Sequence, residues 1–300
     1  MDALPIVDAH HHLWDLGRNH YPWLTDAEQD HGFLGNHAAL KRNYLPDDYR
    51  RDAAGFEVVA TVHVEAEMDR AHQVAETAWV HEMHARHGMP NAVVGHVWFT
   101  DPECDAKLAQ HCAFPLMRGI RSKPVTAARP GDGVRGQPGA LDDPRWRAGL
   151  ALLEKHRLSW DLRVPFWHLA EAAEVVRDIP GIAVVLNHTG FPWDRSAEGL
   201  AAWRAGMAAL ARCPNCTVKI SELGLRGQAW TVEANRQVVL DAVAIFGIER
   251  CMFASNFPVA GLFARYDTIV NGLLEILGHL PRPQLEAFFA GNAKRFYRIE

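Results

Sequence analysis

Short apolar, β-branched runs alternate with longer amphipathic segments along the 300-residue chain. Several runs are apolar without strict alternation, which is typical of strands that are buried on both faces of a parallel sheet. The eight runs cover residues 6–12, 58–66, 92–99, 117–123, 158–166, 182–190, 217–224 and 251–259. The segments between them end in Gly, Pro or basic residues, as helices commonly do. We therefore expect eight strands that alternate with helices.

This alternation predicts an α/β fold of the (β/α)8 type, a TIM barrel. A doubly wound sheet is less favoured because no Gly-rich dinucleotide loop follows the first run. Barrels of about 200 to more than 400 residues are common, so we expect residues 1–300 to form a single domain. Residues 13–57 and 124–144, which are rich in Pro, Gly, Asn and Asp, are expected to be elaborated loops at the carboxyl face.

Composition narrows the function classes. The net charge of −5, with both signs mixed, argues against nucleic acid as a partner, because phosphate binding needs a basic face. No apolar run approaches the roughly 20 residues that cross a bilayer, and we find no basic segment followed by an apolar core of the secretory type. Five scattered cysteines fit a reducing compartment, and the CPNC at 213–216 lacks a second pair at zinc-binding spacing. We expect a cytoplasmic protein without membrane contact.

Polar side chains are concentrated at the carboxyl ends of the eight runs, where a TIM barrel builds its active site. They are His10 and His12; His63 and Glu65; His96; Arg118, Arg121 and Lys123; Asp161 and Arg163; Asn187 and His188; Lys219, Ser221 and Glu222; and Ser255 and Asn256. Because buried polar groups are costly without partners, a purely structural scaffold has little reason to collect them there. The pattern predicts an active site.

Three histidines are candidate metal ligands. His10 and His12 are two residues apart on a strand and share one face, whereas His11 points the other way. Two imidazoles on one face can share a divalent ion, zinc above all; alternatively, they form a hydrogen-bonded pair that shapes an anionic pocket. His188 at the sixth strand end can bind a metal, polarise a carbonyl or shuttle a proton, or it can be a core histidine bonded to a backbone carbonyl.

Other candidates are expected to contact the substrate. We expect Arg121 to face the pocket and hold a carboxylate bidentately, while Arg118, on the opposite face, forms a structural ion pair. Glu65 can be a base or the partner of a barrel arginine, and the sequence does not decide between the two. Trp14 in the first loop can line the pocket or belong to a small core of that loop.

Dispersed motifs agree with a known family. IVDAHHHLWD, RGIRS, VLNHTGFP, VKIS, FASNFPV and GNAKRFYRI follow one another over nearly the whole chain. Together they resemble the amidohydrolase superfamily, and most closely its amidohydrolase 2 group of TIM-barrel hydrolases, which includes sugar-acid and aromatic lactonases and a metal-independent lactone isomerase. The resemblance implies that His10 and His12 bind a divalent metal and that His188 orients substrate or water.

One position departs from the family pattern. The resemblance implies an aspartate at the eighth strand that acts as base for the attacking water, but the motif here is FASNFPV, with Asn256 at that position. A neutral amide cannot accept the proton and is a weaker metal ligand than a carboxylate. Either His188, Glu65 or Glu222 does the proton work, or the reaction needs no such base.

The first hypothesis is therefore a hydrolase of a small lactone or related cyclic ester from sugar-acid or aromatic catabolism. Water attacks a carbonyl that is polarised at the His10–His12 site, with a divalent metal, zinc first, or with none. The catalytic residues expected are His188, Asn256 and Glu65. The substrate, a small anion, is expected to meet Arg121, Lys219, Ser221 and Trp14.

Two other hypotheses use the same barrel. A metal-independent lactone isomerase or a decarboxylating lyase needs no attacking water, and Asn256 motivates this alternative. A barrel that binds a small acid or lactone without turnover is the third. A homodimer is a common state for soluble enzymes and is carried as an expectation.

Overall fold

The computed structural model describes residues 4–26 and 34–300. Its strands are β1 (Ile6–His11), β2 (Val58–Val64), β3 (Ala92–Gly95), β4 (Met117–Ile120), β5 (Ser159–Leu162), β6 (Val184–Leu186), β7 (Cys216–Ile220) and β8 (Cys251–Phe253). They form one sheet in sequence order, and each strand pairs in parallel with the next. The segment after β8 returns to β1, since Asn256 N donates to His10 O at 2.7 Å and His12 N donates to Phe257 O at 2.8 Å. The nearly closed barrel confirms the predicted (β/α)8 fold.

Helices separate the strands as the periodicity predicts. They are α1 (Pro22–Thr25), α2 (Pro46–Asp52), α3 (Gln73–His87), α4 (Cys104–Cys112), α5 (Pro144–His156), α6 (Leu169–Asp178), α7 (Ala197–Ala211), α8 (Val232–Phe246), α9 (Tyr266–Leu277), α10 (Arg282–Glu286) and α11 (Asn292–Tyr297). Short 3-10 turns at Phe166–His168, His188–Gly190 and Val259–Leu262 come after strands β5, β6 and β8. No helix among the described residues is both long enough and apolar enough to cross a membrane.

The barrel interior is layered. Small apolar side chains from the strands, Val7 and Ala9 among them, pack with Ala293 and Tyr297 of α11 at one end. Above them lies a buried polar layer in which Lys219 Nζ contacts Asp161 Oδ1 at 2.5 Å and the Tyr297 hydroxyl donates to the same carboxylate at 3.0 Å. The carboxyl ends of the strands form the next layer, where the candidate site lies.

The strands end earlier than the apolar runs predict. β6 ends at Leu186 and β8 at Phe253, so His188 and Asn256 lie in the loops beyond them. The cause is visible in the backbone, because both residues adopt left-handed φ values of 59° and 58°, which a strand does not contain. Six non-glycine residues with positive φ come after strand ends in this way: Glu67, His188, Thr189, Phe191, Glu222 and Asn256. Such conformations concentrate at functional sites.

The two predicted loops carry structure of their own. In the first, Trp14 pairs with Tyr44 through backbone hydrogen bonds, and α1 and α2 lie within its described part; residues 27–33 of this loop lie outside the described residues. In the second, a bridge joins Val125 to Ala140. Ala127 of this loop packs in a small apolar cluster against Trp167.

Candidate active site

A cavity of about 250 Å³ opens at the carboxyl ends of the strands, the face where TIM barrels carry their active sites. Its lining comes from most parts of the barrel and consists of His12, Trp23, Leu34, Ala66, Glu67, Arg121, Lys123, Arg163, His188, Asn256 and Val259. Two imidazoles, three basic side chains and an amide therefore meet in a space that suits a small molecule.

Three of the predicted histidines come together at this cavity. The ring centroids of His10 and His12 are 5.0 Å apart, and those of His10 and His188 are 4.6 Å apart. His12 and His188 line the cavity, whereas His10 is fully buried beneath them. His11 turns the opposite way and packs on Tyr49 at a centroid distance of 4.8 Å, because neighbouring side chains on a strand alternate.

His12 is held in one tautomer. Its Nδ1 lies 2.7 Å from the Val64 carbonyl oxygen, which accepts only, so Nδ1 carries a proton. Burial, followed by the charge of Arg121, holds the pKa of His12 well below its usual value. The ring is therefore neutral near pH 7, and its Nε2 lone pair faces Asn256 Oδ1 at 3.2 Å.

Asn256 joins His12 to a buried carboxyl group. Its Nδ2 donates to Glu222 Oε2 at the end of β7, and both residues have left-handed backbones, with φ values of 58° and 53°. Burial raises the pKa of Glu222 to about 7, although the hydrogen bond from Asn256 and the charge of Arg163 oppose that rise. Glu222 thus stands behind the amide that replaces the expected aspartate.

Ser221 positions His188 instead of lining the cavity. Its hydroxyl lies 3.1 Å from His188 Nδ1, while Ser221 is absent from the cavity lining. Burial and the charges of Arg163 and Arg121 hold the pKa of His188 well below its usual value. A neutral imidazole held by a hydroxyl can accept a proton or donate a hydrogen bond.

Glu65 is engaged on both carboxylate oxygens. Arg121 Nε donates to Oε1 at 2.7 Å, and Arg70 Nη1 donates to Oε2 at 2.9 Å. Arg121 also donates to the Glu65 carbonyl oxygen at 2.5 Å. Although burial opposes ionisation, the neighbouring Arg121 and Arg70 hold the pKa of Glu65 well below its usual value. Of the two roles that the sequence allowed, these contacts match pairing with a barrel arginine. Arg118, for which the sequence predicts a structural ion pair, donates to the Tyr297 carbonyl oxygen at 2.8 Å.

Two further basic side chains, Lys123 and Arg163, line the cavity. Lys123 pairs with Glu67, and the Arg163 guanidinium lies 4.9 Å from the centroid of the Phe191 ring. Burial and neighbouring arginines lower the pKa of Arg163 to about 10 and that of Lys123 to about 7. Sequence reasoning put both residues at strand ends but assigned them no contact with the substrate. The sequence did carry a signal for these contacts, namely their positions at strand ends. Arg163 also lies two residues after Asp161 and therefore shares its strand face.

Besides Ser221, two further expected substrate contacts need correction. Lys219 is fully buried in the polar layer below the cavity, where Nζ faces Asp161 and His10 Nδ1, so it cannot touch a ligand in the cavity. Trp14 is also fully buried. Its indole donates to the Arg42 carbonyl oxygen at 2.6 Å, and its ring packs against Trp23 and Tyr44. Trp23 lines the cavity in its place, because Trp14 belongs to the core of the first loop.

The residues do not fit the predicted divalent metal. His10 has a basic side chain beside each ring nitrogen, Lys219 Nζ at 3.3 Å from Nδ1 and Arg121 Nη1 at 3.4 Å from Nε2. The nearby carboxylates Asp161 and Glu65 are already engaged by these two basic groups, and the neutral Asn256 supplies no charge to offset a dication on this ring. Over residues 4–26 and 34–300, no group of three or more His, Cys, Asp or Glu side chains is arranged to hold an ion.

Comparisons with known proteins agree with the barrel and its motifs. A protein-family model described as amidohydrolase matches residues 7–299. The chain is 36% identical over 299 residues to an uncharacterized protein y4mH of Sinorhizobium fredii, with 100% of both chains covered. It is 29% identical over 314 residues to an L-fucono-1,5-lactonase of Burkholderia multivorans, covering 100% of this chain and 97% of that protein.

A solved structure extends the likeness to three dimensions. A crystal structure of an amidohydrolase from Burkholderia multivorans with bound HEPES superposes with a TM-score of 0.80 at 26% identity, covering 98% of this chain and 99% of that chain. A second crystal form of an amidohydrolase from that organism, with bound zinc, gives a TM-score of 0.79 at the same identity and coverage.

Proposed function

Because the chain belongs to the amidohydrolase family, we propose that it hydrolyses a small lactone that carries a carboxylate. The observation that carries this proposal is the composition of the cavity: the neutral imidazoles of His12 and His188 and the basic side chains of Arg121, Lys123 and Arg163 line the same space of about 250 Å³. One carboxylate in the lining, Glu67, pairs with Lys123. The basic side chains suit an anionic substrate, and the imidazoles suit proton transfer. The likeness to an L-fucono-1,5-lactonase favours a cyclic ester as the bond that is cleaved.

The basic side chains would bind the substrate carboxylate and, after ring opening, the new carboxylate of the product. Arg121 has a fixed orientation because Glu65 holds both its Nε and its Nη2, so its Nη1 is directed toward the imidazoles. In this proposal Glu65 positions Arg121 and does not take a proton. A guanidinium fixed in advance stabilises charge that develops on the carbonyl oxygen without reorganising during the reaction.

Water attack needs a proton acceptor, and the neutral histidines at the cavity are suited to that role. His188 is backed by Ser221, and its lone pair can take the proton as the water oxygen bonds to the carbonyl carbon. As the bond from that carbon to the ring oxygen then breaks, the protonated His188 returns this proton to the leaving oxygen. Proton transfer of this kind contributes about 100-fold to 10,000-fold in rate. Asn256 orients the water in this proposal, and no step uses a metal.

The test is turnover of matched lactones in ¹⁸O-labelled water. A lactone with a free carboxylate should be opened, and one labelled oxygen should enter the product; the methyl ester of that same lactone should be a poorer substrate. His188→Ala should lower kcat by at least about 100-fold, whereas the surface control His279→Ala should not. Thermal melting of each variant shows that it is folded.

Other products would point to the alternatives. A rearranged lactone without labelled oxygen would indicate an isomerase, and released CO₂ would indicate a lyase. Saturable binding of a lactone acid without any product would indicate a binding protein. Any of these results would contradict the hydrolase proposal.

A further inference from the structure

Glu222 is a buried carboxyl group behind the cavity, and it accepts a hydrogen bond from the amide of Asn256, the residue that takes the place of the expected aspartate. We propose that Glu222 is a positioning residue for hydrolysis: it fixes the Asn256 amide with its oxygen toward His12 and the cavity, so that Asn256 and His12 together orient the attacking water. This inference rests on the proposed function.

The hydrogen bonds around His12 carry the first step. Since His12 Nδ1 donates to Val64 O, the neutral ring presents a lone pair at Nε2. Asn256 Oδ1 lies 3.2 Å from that atom and also has only lone pairs to offer. Two facing acceptors do not bond each other, but one water molecule can donate a hydrogen to each. Its oxygen lone pairs then point away from both acceptors, toward the cavity.

The amide has two orientations, and Glu222 selects between them. An ionised Glu222 accepts a hydrogen bond but cannot donate one, so it holds the amide nitrogen on its own side and the oxygen toward His12. A protonated Glu222 can donate to the amide oxygen. The nitrogen then turns toward His12 and occupies the Nε2 lone pair. In the first orientation the pair can bind the water; in the second it cannot.

The surroundings of Glu222 support this selection. Both Glu222 and Asn256 adopt left-handed backbones, a conformation of about 1–3 kcal/mol cost for non-glycine residues, and the two turns direct these side chains at each other. The space beside Glu222 is lined by apolar side chains from later elements, including Trp230, Phe263 and Leu273. Among the described residues, the charge of Arg163 acts on Glu222. Ser221, the residue before Glu222, contacts the neutral ring of His188. Because burial raises the pKa of Glu222 to about 7, the two orientations exchange near neutral pH.

The first experiment measures kcat against pH on the lactone that the wild-type chain turns over. The wild type should lose kcat as pH falls through about 7, as Glu222 becomes protonated, with KM little changed. Glu222→Gln should lower kcat about tenfold or more at pH 8 and remove this acidic limb, because a glutamine does not titrate. Glu249→Gln, at an exposed carboxylate just before β8, should keep the wild-type profile. An unchanged profile in Glu222→Gln would overturn the proposal.

A rescue variant separates positioning from folding. Glu222→Gln combined with Asn256→Asp returns a carboxylate to position 256, which accepts in either orientation and no longer needs Glu222. We expect this double variant to recover most of the kcat that Glu222→Gln loses. Equal kcat in the single and double variants, with both melting as the wild type does, would contradict the proposed role.

A measurement without substrate keeps the two proposals apart. In chain labelled with ¹⁵N-asparagine, the side-chain signal of Asn256, assigned by its absence from Asn256→Asp, should shift with an inflection near pH 7 in the wild type and stay constant in Glu222→Gln. If no lactone is turned over, the proposed function fails, while this titration still tests the amide orientation. If lactones are hydrolysed but the Asn256 signal does not titrate, the inference about Glu222 fails alone.

Discussion

The environment of His10 distinguishes this site from the one that its motif suggests. A His-x-His pair on a strand is suited to share a metal ion, and His10 and His12 do lie with their ring centroids 5.0 Å apart. Yet Lys219 and Arg121 approach the two nitrogens of His10. Burial and the charge of Lys219 hold the pKa of His10 well below its usual value. The neighbouring charges, more than the motif, decide what this ring can bind.

A chelator experiment tests this interpretation. We expect incubation with a strong chelator, and then its removal, to leave both kcat and the melting temperature unchanged, because the site has positive neighbours where a dication would need carboxylates. Metal content is measured before and after by elemental analysis. Loss of turnover that added zinc restores, at one equivalent per chain, would show that His10 and His12 hold a metal despite these charges.

At the scale of single residues, the sequence predicts the face of the strand to which a side chain points better than it predicts the depth of that side chain within the barrel. The alternation along a strand correctly separates inward His10 and His12 from outward His11. It cannot tell that Lys219 lies a layer below the cavity. Strands in a barrel are tilted and staggered, so equivalent positions near two strand ends reach different heights. The position of Trp14 could not be predicted for another reason. Only the conformation of its loop decides whether the side chain faces the cavity.

At the scale of elements, the apolar runs predicted all eight strands because each run is buried on both faces. They overran the strand ends by several residues, since β6 and β8 have only three residues each. The backbone beyond these two strands is strained where it carries His188 and Asn256. Apolar content is similar on both sides of that boundary, whereas backbone conformation changes there. Hydrophobic patterns therefore located the site without giving its geometry.

Helix α5 illustrates how tightly the outer layer packs on the barrel. Gly149 lies in this helix, and a Cβ atom there would come within 2.0 Å of the Phe99 carbonyl oxygen. We expect Gly149→Ala to destabilise the fold by about 1–3 kcal/mol, although alanine usually favours a helix over glycine by about 1 kcal/mol. Urea unfolding measures the difference.

Gly133 provides the matched control for this substitution. A Cβ atom there has no heavy atom within 4 Å, and the residue lies in the 124–144 loop. Gly133→Ala should change stability by less than about 0.5 kcal/mol, or raise it slightly by restricting the unfolded chain. If Gly149→Ala is as mild as Gly133→Ala, α5 can shift away from the loop after β3, and the close packing inferred for this layer is wrong.

For the whole molecule, buried histidines dominate the expected response to acid. Among residues 4–26 and 34–300, burial lowers the pKa of seven buried histidines below the ordinary value: His10, His11, His12, His63, His96, His111 and His188. For His63 and His111 the pKa falls to about 3 and about 4. Three buried carboxyl groups among the described residues act in the opposite sense, since burial raises the pKa of Asp8, that of Glu222 to about 7 and that of Glu76 to about 8.

Proton binding sets the sign of the pH dependence. The unfolded chain takes up protons on these histidines near pH 6.5, and the folded chain does not, so their contribution is complete above that pH and is lost as pH falls below it. Asp8, Glu222 and Glu76 hold their protons more tightly in the folded chain than in the unfolded chain, so they destabilise the fold as pH rises from about 4 toward 8. Seven groups outweigh three, so stability should fall steeply between about pH 6.5 and 5.

His11→Phe tests this balance at one position that makes no contact with the cavity. His11 is fully buried and packs on Tyr49, so a phenylalanine of similar size keeps the contact while removing one group that must stay neutral. We expect the variant to be more stable than the wild type at about pH 5, by up to about 2 kcal/mol, and its stability to fall less steeply with acid. Urea midpoints at about pH 5, 6, 7 and 8 measure both effects, with His279→Phe as a control at an exposed position. Parallel stability curves for wild type and His11→Phe would mean that the buried histidines do not govern acid unfolding.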